Sequence, residues 1–341
     1  VTATDANTTD TLTYSITGGA DAAKFAINAS TGVLAFVAAP DYEAPTDVGA
    51  NNVYDVQVTV SDGQGGTDVQ DIAVTVTDVA EISGVVLTVR ALLQGPYDST
   101  AGLMKDTLRS GSLLPVLQPY TSTAFGYQGN EATTPTQLAL TGNNAVVDWV
   151  LVELRDATTL STVVAKQAAL LLRNGDIISS STGSTGLNFS SVNAGNYYVV
   201  VKHRNHLSVV TQAPVALSTS GTLVDFTLTS TATRGNHGRY ISSTTALMWA
   251  GDTNSSNQAI ASGPNNDNSD ILGAVLMDAG NTFLNTNYKL AGYRPTDVDM
   301  NGQTIFAGPS NDNNLLLGNI LLHPANSSFA ANYVIQSGLV Q

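Results

Sequence analysis

Hydrophobic and polar residues alternate cleanly in the first part of the chain, at residues 56–60 and 72–76. A period of two is that of strands with one buried face. Several such short runs, bounded by turn residues, predict a β-sandwich over residues 1–81. The predicted strands of this segment lie at residues 11–17, 25–27, 33–37, 53–61 and 71–77.

Residues 82–245 continue the β pattern with longer apolar runs and predict a second β-sandwich. A segment rich in Pro, Thr, Tyr and Gly, residues 95–144, is expected to cover one sheet as an ordered loop that contains a short helix at 103–108. The fold class is therefore mainly β, with two tandem sandwiches and a small C-terminal module. The strands predicted in the second sandwich are 85–93, 146–155, 163–172, 197–204 and 223–229.

The C-terminal region, residues 246–341, contains one pattern written twice. The first copy begins at Asp252 and reaches Asp267, and the second begins at Asp297 and reaches Asp312. Every matched pair is separated by 45 residues (297 − 252 and 312 − 267), which indicates an internal duplication. Each copy leads into an apolar run, residues 271–277 and 315–322, with the length of a short helix.

The spacing of oxygen-bearing side chains in these copies predicts calcium loops. Calcium takes six to eight oxygen ligands, and a tight loop supplies them from positions 1, 3 and 5, a carbonyl at 7 and an acid near the end. The acid expected at position 12 arrives at position 16 in both copies. Asn, Asp and Gly also favour turns without a metal, but two copies in register favour calcium. The candidate ligands are Asp297, Asp299, Asn301, the Gln303 carbonyl and Asp312 in loop 2, and Asp252, Asn254, Ser256, the Gln258 carbonyl and Asp267 in loop 1, which has Asn257 where loop 2 has Gly302.

This pair of loops, each followed by a helix, resembles the duplicated calcium loops of dockerin-like, EF-hand-related modules of bacterial secreted proteins. In residues 82–245, the phrases LQGPYD, VVDWVLVELRD, AALLLRNGDI and YYVVVKHRNHL resemble a module of bacterial cell-surface proteins that carries no known activity.

The first segment resembles a bacterial cadherin repeat through TATDAN, LTYSITGGADAAKFAINASTGVLAF, PDYE and VQVTVSDGQGGTD. The resemblance implies that Asp41, Glu43 and Asp78 bind calcium at the junction with the next domain, although Ala80 stands where the family has Asn. It also implies that Asp5, Asn7 and Asp62 face a preceding domain. The family's first strand is absent from this sequence, so either the chain is truncated or another chain supplies that strand.

Composition and charge exclude several classes of function. The net charge is −14 with 13 basic residues spread thinly, so the sequence offers no basic surface for nucleic acid. The chain has no cysteine, which excludes disulfides. No apolar run is long enough to span a membrane. With an excess of acidic over basic residues, these features indicate an extracellular protein that is stabilised by Ca²⁺.

No catalytic motif is recognisable, and the sequence predicts that the chain is not an enzyme. His203 and His206 form an H-x-x-H, but on a strand they are expected to point to opposite faces. Asp148 and Glu153 are expected to do the same.

The predicted function is that of an extracellular structural protein of a bacterial surface. It is an adhesin or a subunit of a head-to-tail filament, whose partners are copies of itself or other surface proteins. Strand complementation is one mode of assembly, because residues 333–335 and 339–340 form a strand-like tail that either folds back on its own module or pairs with the next subunit. The alternative is a docking or accessory portion of a larger secreted enzyme.

Overall fold

The computed structural model describes residues 1–7, 9–78 and 84–340, so Ala80 lies outside the described residues. The chain divides into two compact units, Val1–Glu81 (unit 1) and Ile82–Gln341 (unit 2). Both are built mainly from β-strands, as the alternating patterns predicted. The predicted second sandwich and the calcium-loop module both belong to unit 2, within which their boundary at residue 245 stays a prediction.

Unit 1 packs a three-stranded antiparallel sheet, of order β1-β4-β5, against a two-stranded hairpin, β2-β3. Alternate residues of β4 point into the core, where Tyr54, Val56 and Val58 are buried with Tyr14 and Phe25. The strands are β1 Thr13–Gly18, β2 Phe25–Ile27, β3 Leu34–Phe36, β4 Val53–Ser61 and β5 Thr67–Thr75.

Unit 2 contains a six-stranded sheet of order β11-β10-β9-β13-β14, with β15 also paired to β13, and a three-stranded sheet of order β12-β6-β16. Short ladders β7-β8 and β17-β18 flank them. The elements are β6 Val85–Arg90, β7 Tyr97–Asp98, β8 Leu103–Met104, α1 Thr107–Ser110, α2 Pro135–Leu138, β9 Val146–Asp156, β10 Val163–Leu172, β11 Ile177–Ser179, β12 Gly186–Phe189, β13 Gly195–Lys202, β14 Val209–Val210, β15 Val215–Leu217, β16 Thr222–Asp225, β17 Tyr240–Ser242 and β18 Thr245–Leu247.

The six-stranded sheet is buried on both faces. One face packs on the three-stranded sheet, and on the other Trp149 and Leu170 pack under Tyr120 and Phe125. The Tyr120 hydroxyl donates to the Trp149 carbonyl at 2.6 Å. The segment at 95–144 therefore covers a sheet, as expected, and this explains why β9 reads as a nearly continuous apolar run. The helix expected at 103–108 begins later, at Thr107.

The calcium-loop module consists of two similar halves. Its helices begin at Asp267 and Asp312, earlier than the apolar runs suggested, because Asn266 and Asn311 cap them. Each cap accepts an amide N–H at 2.8 Å. The elements are β19 Gln258–Ile260, α3 Asp267–Met277, β20 Leu290–Ala291, β21 Gln303–Thr304, α4 Asp312–Leu322 and β22 Val334–Gln336.

Short strands join the two halves of the module. The C-terminal strand β22 pairs with β19 of loop 1, and β20 pairs with β21 of loop 2. The tail is thus a strand, as expected, but it is already paired within its own chain. This is the first of the two arrangements that the sequence left open, in which the tail folds back on its own module.

Candidate calcium-binding loops

Loop 2 brings three carboxylates together. Each of Asp297, Asp299 and Asp312 offers an oxygen, and these oxygens lie within 4.8 Å of one another. Asp297 and Asp312 are fully buried, while Asp299 is partly exposed. The acid at position 16 therefore reaches the first acid of the loop, as the sequence predicted for a displaced closing ligand. Gln303, whose carbonyl is the fourth predicted ligand, begins β21.

Backbone amides hold these carboxylates in place. Asp297 accepts hydrogen bonds from the amides of Asn301 and Gly302 at 3.0 and 2.9 Å. Asp312 accepts from the amides of Val298 and Ile305 at 2.5 and 2.8 Å, which fastens the start of α4 to both ends of the loop. Neutral donors of this kind orient the oxygens without cancelling their charge.

The electrostatics of loop 2 favour the addition of a cation. Burial raises the pKa of Asp297 to about 8, against a lowering by Arg204, and the charges of Asp312 and Asp299 raise it further. Burial also raises the pKa of Asp312 to about 7 and that of Asp299 above its usual range. Among the described residues, no ion pair within 4.0 Å includes these three carboxylates. Buried carboxylates without a partner are costly, and hard oxygen donors in this number fit Ca²⁺.

Loop 1 repeats the arrangement with fewer acids. Asp252 accepts from the amides of Ser256 and Asn257 at 2.8 and 3.0 Å, and Asp267 accepts from Thr253 and Ile260 at 2.7 and 2.8 Å. Burial, with the charge of Asp267, raises the pKa of Asp252 to about 8. Burial also raises the pKa of Asp267 to about 6.

The other predicted ligands of loop 1 lie in the same turn. Asn254 accepts the Ser256 amide at 3.1 Å, and the Ser256 hydroxyl donates to the Gln258 carbonyl at 3.3 Å. Asn254 stands where loop 2 has Asp299, so the predicted ligands of loop 1 include two carboxylates where those of loop 2 include three.

The backbone confirms that the two loops are equivalent. Ser255 and Met300 have φ of 60° and 59°, and Asn257 and Gly302 have φ of 64° and 87°. Asn tolerates this left-handed conformation better than most residues, so Asn257 replaces the glycine of loop 2 without changing the turn.

The duplication extends further than the sequence analysis recognised. The buried Asn281 donates to the carbonyls of Val275 and Asn285 at 2.8 and 2.9 Å. Its counterpart 45 residues later, Asn326, donates to the carbonyls of Ile320 and Ala330 at 2.7 and 2.9 Å. The missed signal was an Asn followed seven residues later by Tyr in both copies, Asn281 with Tyr288 and Asn326 with Tyr333.

Unit 1 carries two acidic groups, one exposed and one partly buried. The Glu43 amide donates to Asp41 at 3.0 Å. The pKa of Glu43 is raised above its usual value. A hydrogen bond from its own backbone amide lowers this pKa, but desolvation and the neighbouring Asp41 and Asp78 together raise it by more. The second group consists of Asp5, Asp10 and Asp62, whose carboxylate oxygens lie within 4.8 Å of one another. The sequence analysis named Asp5 and Asp62 but not Asp10. Asn7 is held beside this group, because its amide donates to Asp5 at 2.7 Å.

The prediction for His203 and His206 was wrong. Strand β13 ends at Lys202, and the following turn brings their Nδ1 atoms to 3.1 Å. Both rings are buried, and His203 Nε2 lies 3.1 Å from Asp148, which also pairs with Arg204 at 3.0 Å. Glu153 belongs to a separate ion-pair cluster with Arg155, at 2.6 Å.

No family model matches the sequence, and no curated protein matches it either. Among solved structures, mouse cadherin-23 EC22-24 is 12% identical with a TM-score of 0.17, over 63% of this chain and 53% of that chain. Human CDH23 EC21-23 is 17% identical with a TM-score of 0.18, over 78% of this chain and 82% of that chain. The chain thus spans about half the length of the mouse structure. TM-scores this low show no common overall arrangement.

In the described part of the chain, no helix is both long and apolar enough to cross a membrane.

Proposed function

We propose that this chain is an extracellular structural protein of a bacterial surface, whose C-terminal module is stabilised by Ca²⁺ in two loops. The observation that carries the proposal is the pair of duplicated loops, whose first and last carboxylates are buried and, among the described residues, form no ion pair within 4.0 Å. The residues that would hold the ions are the ten predicted ligands of loops 1 and 2.

Calcium in these loops would supply positive charge between groups that otherwise repel. In loop 2 it would join Asp297, at the start of the loop, to Asp312, at the start of α4. An unfolded chain has no such site, so the binding free energy adds to the stability of the fold. In a chain without cysteine, this stabilisation takes the place of disulfides.

The exposed acids of unit 1, Asp41, Glu43 and Asp78, are proposed as a further calcium site. Strands β1 and β5 are the two edges of the unit 1 sheet and can accept a strand from another molecule. Assembly into a filament would use such an edge, or another surface, because the C-terminal strand is already paired. Its partners would be copies of itself or other surface proteins.

The second candidate function is docking, as an accessory part of a larger secreted enzyme. One observation favours it: bulky apolar side chains are exposed at the end of both helices and in the turns that follow them. Met277 and Leu322 occupy equivalent positions at the helix ends, as do Leu284 and Phe329 in the turns that follow. A protein-binding surface would use such side chains if they form one contiguous patch.

Two measurements test the proposal. Calorimetric titration of the full chain should show at least two bound Ca²⁺ ions, and absence of binding would overturn it. Electron microscopy of the secreted protein, before and after chelation of calcium, then distinguishes a structural polymer from an adhesin or a docking module. Fibres that loosen on chelation indicate a structural polymer, whereas dispersed particles in both conditions indicate an adhesin or a docking module.

A further inference from the structure

The turn that follows β13 lies against both calcium loops. Its residues His203, Arg204, Asn205 and His206 are all buried. None of them is a predicted calcium ligand, and no catalytic arrangement uses them. Asn205 is the central residue of this turn, and it is fully inaccessible to solvent.

Asn205 bonds the first ligand of loop 2 and the residue that precedes the first ligand of loop 1. Its side-chain amide donates to the backbone carbonyl of Asp297 at 2.6 Å. Its own backbone carbonyl accepts the amide of Gly251 at 2.9 Å, and Gly251 directly precedes Asp252. A single residue of the sandwich is therefore bonded to the start of loop 1 and to the start of loop 2.

The side chain of Asn205 is itself held in one orientation. Its Oδ1 lies 2.7 Å from His206 Nδ1, and His206 Nε2 accepts the Gly95 amide at 3.0 Å. Because Nε2 accepts, the proton of His206 lies on Nδ1 and is donated to Asn205. Gly95 touches loop 2 directly, since a Cβ at this position would come within 2.2 Å of the Val298 carbonyl oxygen.

Arg204 fixes the segment that leads into loop 2. Its guanidinium pairs with Asp148 at 3.0 Å, donates to the Arg294 carbonyl and lies 4.3 Å from the centre of the Tyr293 ring. The Tyr293 hydroxyl donates to Asp148 at 2.6 Å. The segment that leads into loop 2 is thus attached to the sandwich at Tyr293 and Arg294, shortly before the Asp297 carbonyl that Asn205 bonds.

We propose that Asn205 is a positioning residue shared by the two calcium loops, through which calcium in one loop favours binding in the other. The inference rests on the proposed calcium function. Residues behind the ligands orient them, and their loss weakens metal binding by about 10- to 100-fold. A residue that orients two loops at once couples their occupancies, and coupling of this kind is about 5- to 150-fold.

The test is a cycle of full-length variants titrated with calcium. Heats of binding are measured by calorimetry, and the amide NMR signals of Asn257 and Gly302 report on loop 1 and loop 2 separately. With Asn205 present, Asp297→Ala should weaken binding in loop 1 by about tenfold, which is the coupling. With Asn205→Ala, the same Asp297→Ala change should leave loop 1 unaffected.

The matched control is Asn326→Ala, which removes a buried Asn of the same module that bonds neither loop. It should lower the melting temperature but keep the coupling. If Asn205→Ala does not fold, Asn205→Leu keeps the approximate size of the side chain and removes its amide without adding a charge.

The outcomes separate the two proposals. If the unaltered chain takes up no calcium, the proposed function fails. If calcium binds and loop 1 still responds about tenfold to Asp297→Ala in the Asn205 variants, the coupling runs through another contact, such as the packing of α3 on α4. In that case the role of Asn205 is overturned and the calcium function stands.

Discussion

Individual ligands distinguish the two loops. Loop 2 has Asp299 and Gly302 where loop 1 has Asn254 and Asn257. A third carboxylate increases the attraction for a divalent cation, and glycine adopts the left-handed turn at no steric cost. We therefore expect loop 2 to bind calcium more tightly than loop 1.

Exchanging one ligand should reverse part of this difference. Asn254→Asp should tighten calcium binding in loop 1, and Asp299→Asn should weaken it in loop 2, each by about tenfold, because affinity follows ligand charge. Calorimetric titration measures both. Asp156→Asn, at the end of β9, where the side chain accepts from the Thr158 and Thr159 amides, is the control and should leave both affinities unchanged. If the calcium affinities of all three variants equal those of the unaltered chain, Asn254 and Asp299 are not calcium ligands.

The raised pKa values of the loop carboxyls predict an unusual pH dependence. In the calcium-free protein, Asp252 and Asp297 have a pKa of about 8 and Asp312 of about 7, against an ordinary value of 3.8. The folded chain then binds more protons than the unfolded chain between these values. Stability contributed by these groups is complete below about pH 4 and is lost as the pH rises through about 8.

Thermal unfolding of the calcium-free protein should therefore give a melting temperature that falls between pH 5 and pH 8. Calcium should remove most of this fall, because the bound cation stabilises the ionised carboxylates. Its apparent affinity should rise with pH over the same range. A melting temperature that rises with pH in the absence of calcium would contradict the charge arrangement of the loops.

At the scale of elements, strand pairing ties each loop to a particular segment. Loop 1 depends on β22 at the end of the chain, whereas loop 2 depends on β20, which directly precedes it. Ile335 of β22 and Leu290 of β20 occupy equivalent positions 45 residues apart, and both are buried.

These two residues allow a matched comparison. Ile335→Ala should weaken calcium binding in loop 1 and leave loop 2 less affected, while Leu290→Ala should do the reverse. Each change removes buried apolar volume and should cost about 2–5 kcal/mol of unfolding free energy. Affinities are resolved with the NMR signals of Asn257 and Gly302. If either change lowers the calcium affinity of both loops equally, β22 and β20 do not each stabilise only the loop with which they pair.

For the whole molecule, calcium should act mainly on unit 2, where the buried loops lie. Scanning calorimetry of the full chain should show that chelation lowers the transition of unit 2. The loss is about 2.7 kcal/mol for each loop whose calcium was present at 100 times its dissociation constant. Phe25→Ala removes a side chain from the core of unit 1, so the transition that it lowers is the unfolding of unit 1. In a chain that carries Asp252→Ala and Asp297→Ala, the chelation effect on unit 2 should disappear, and its persistence would place the stabilising calcium elsewhere.

The sequence by itself determined the features that depend on local spacing. Alternation with a period of two predicted the strands, including β4 at its observed bounds, and the 45-residue offset predicted both loops and both helices. The candidate ligands were found in the same way, because a loop of this kind takes its oxygens from nearby positions in the chain. Only the first turn of each helix was missed, since Asn266 and Asn311 cap it from outside the apolar runs.

Tertiary structure decided what depends on residues distant in sequence. Ile335 of β22 pairs with Ala259 of β19, 76 positions earlier (335 − 259), and no local pattern distinguishes this pairing from one with another chain. His203 and His206 face each other because their strand ends one residue before His203, a boundary that alternation does not locate. Asn205 meets Asp297 across 92 positions. Burial, which raises the pKa of the loop carboxyls and makes a cation favourable, likewise exists only after the core has formed.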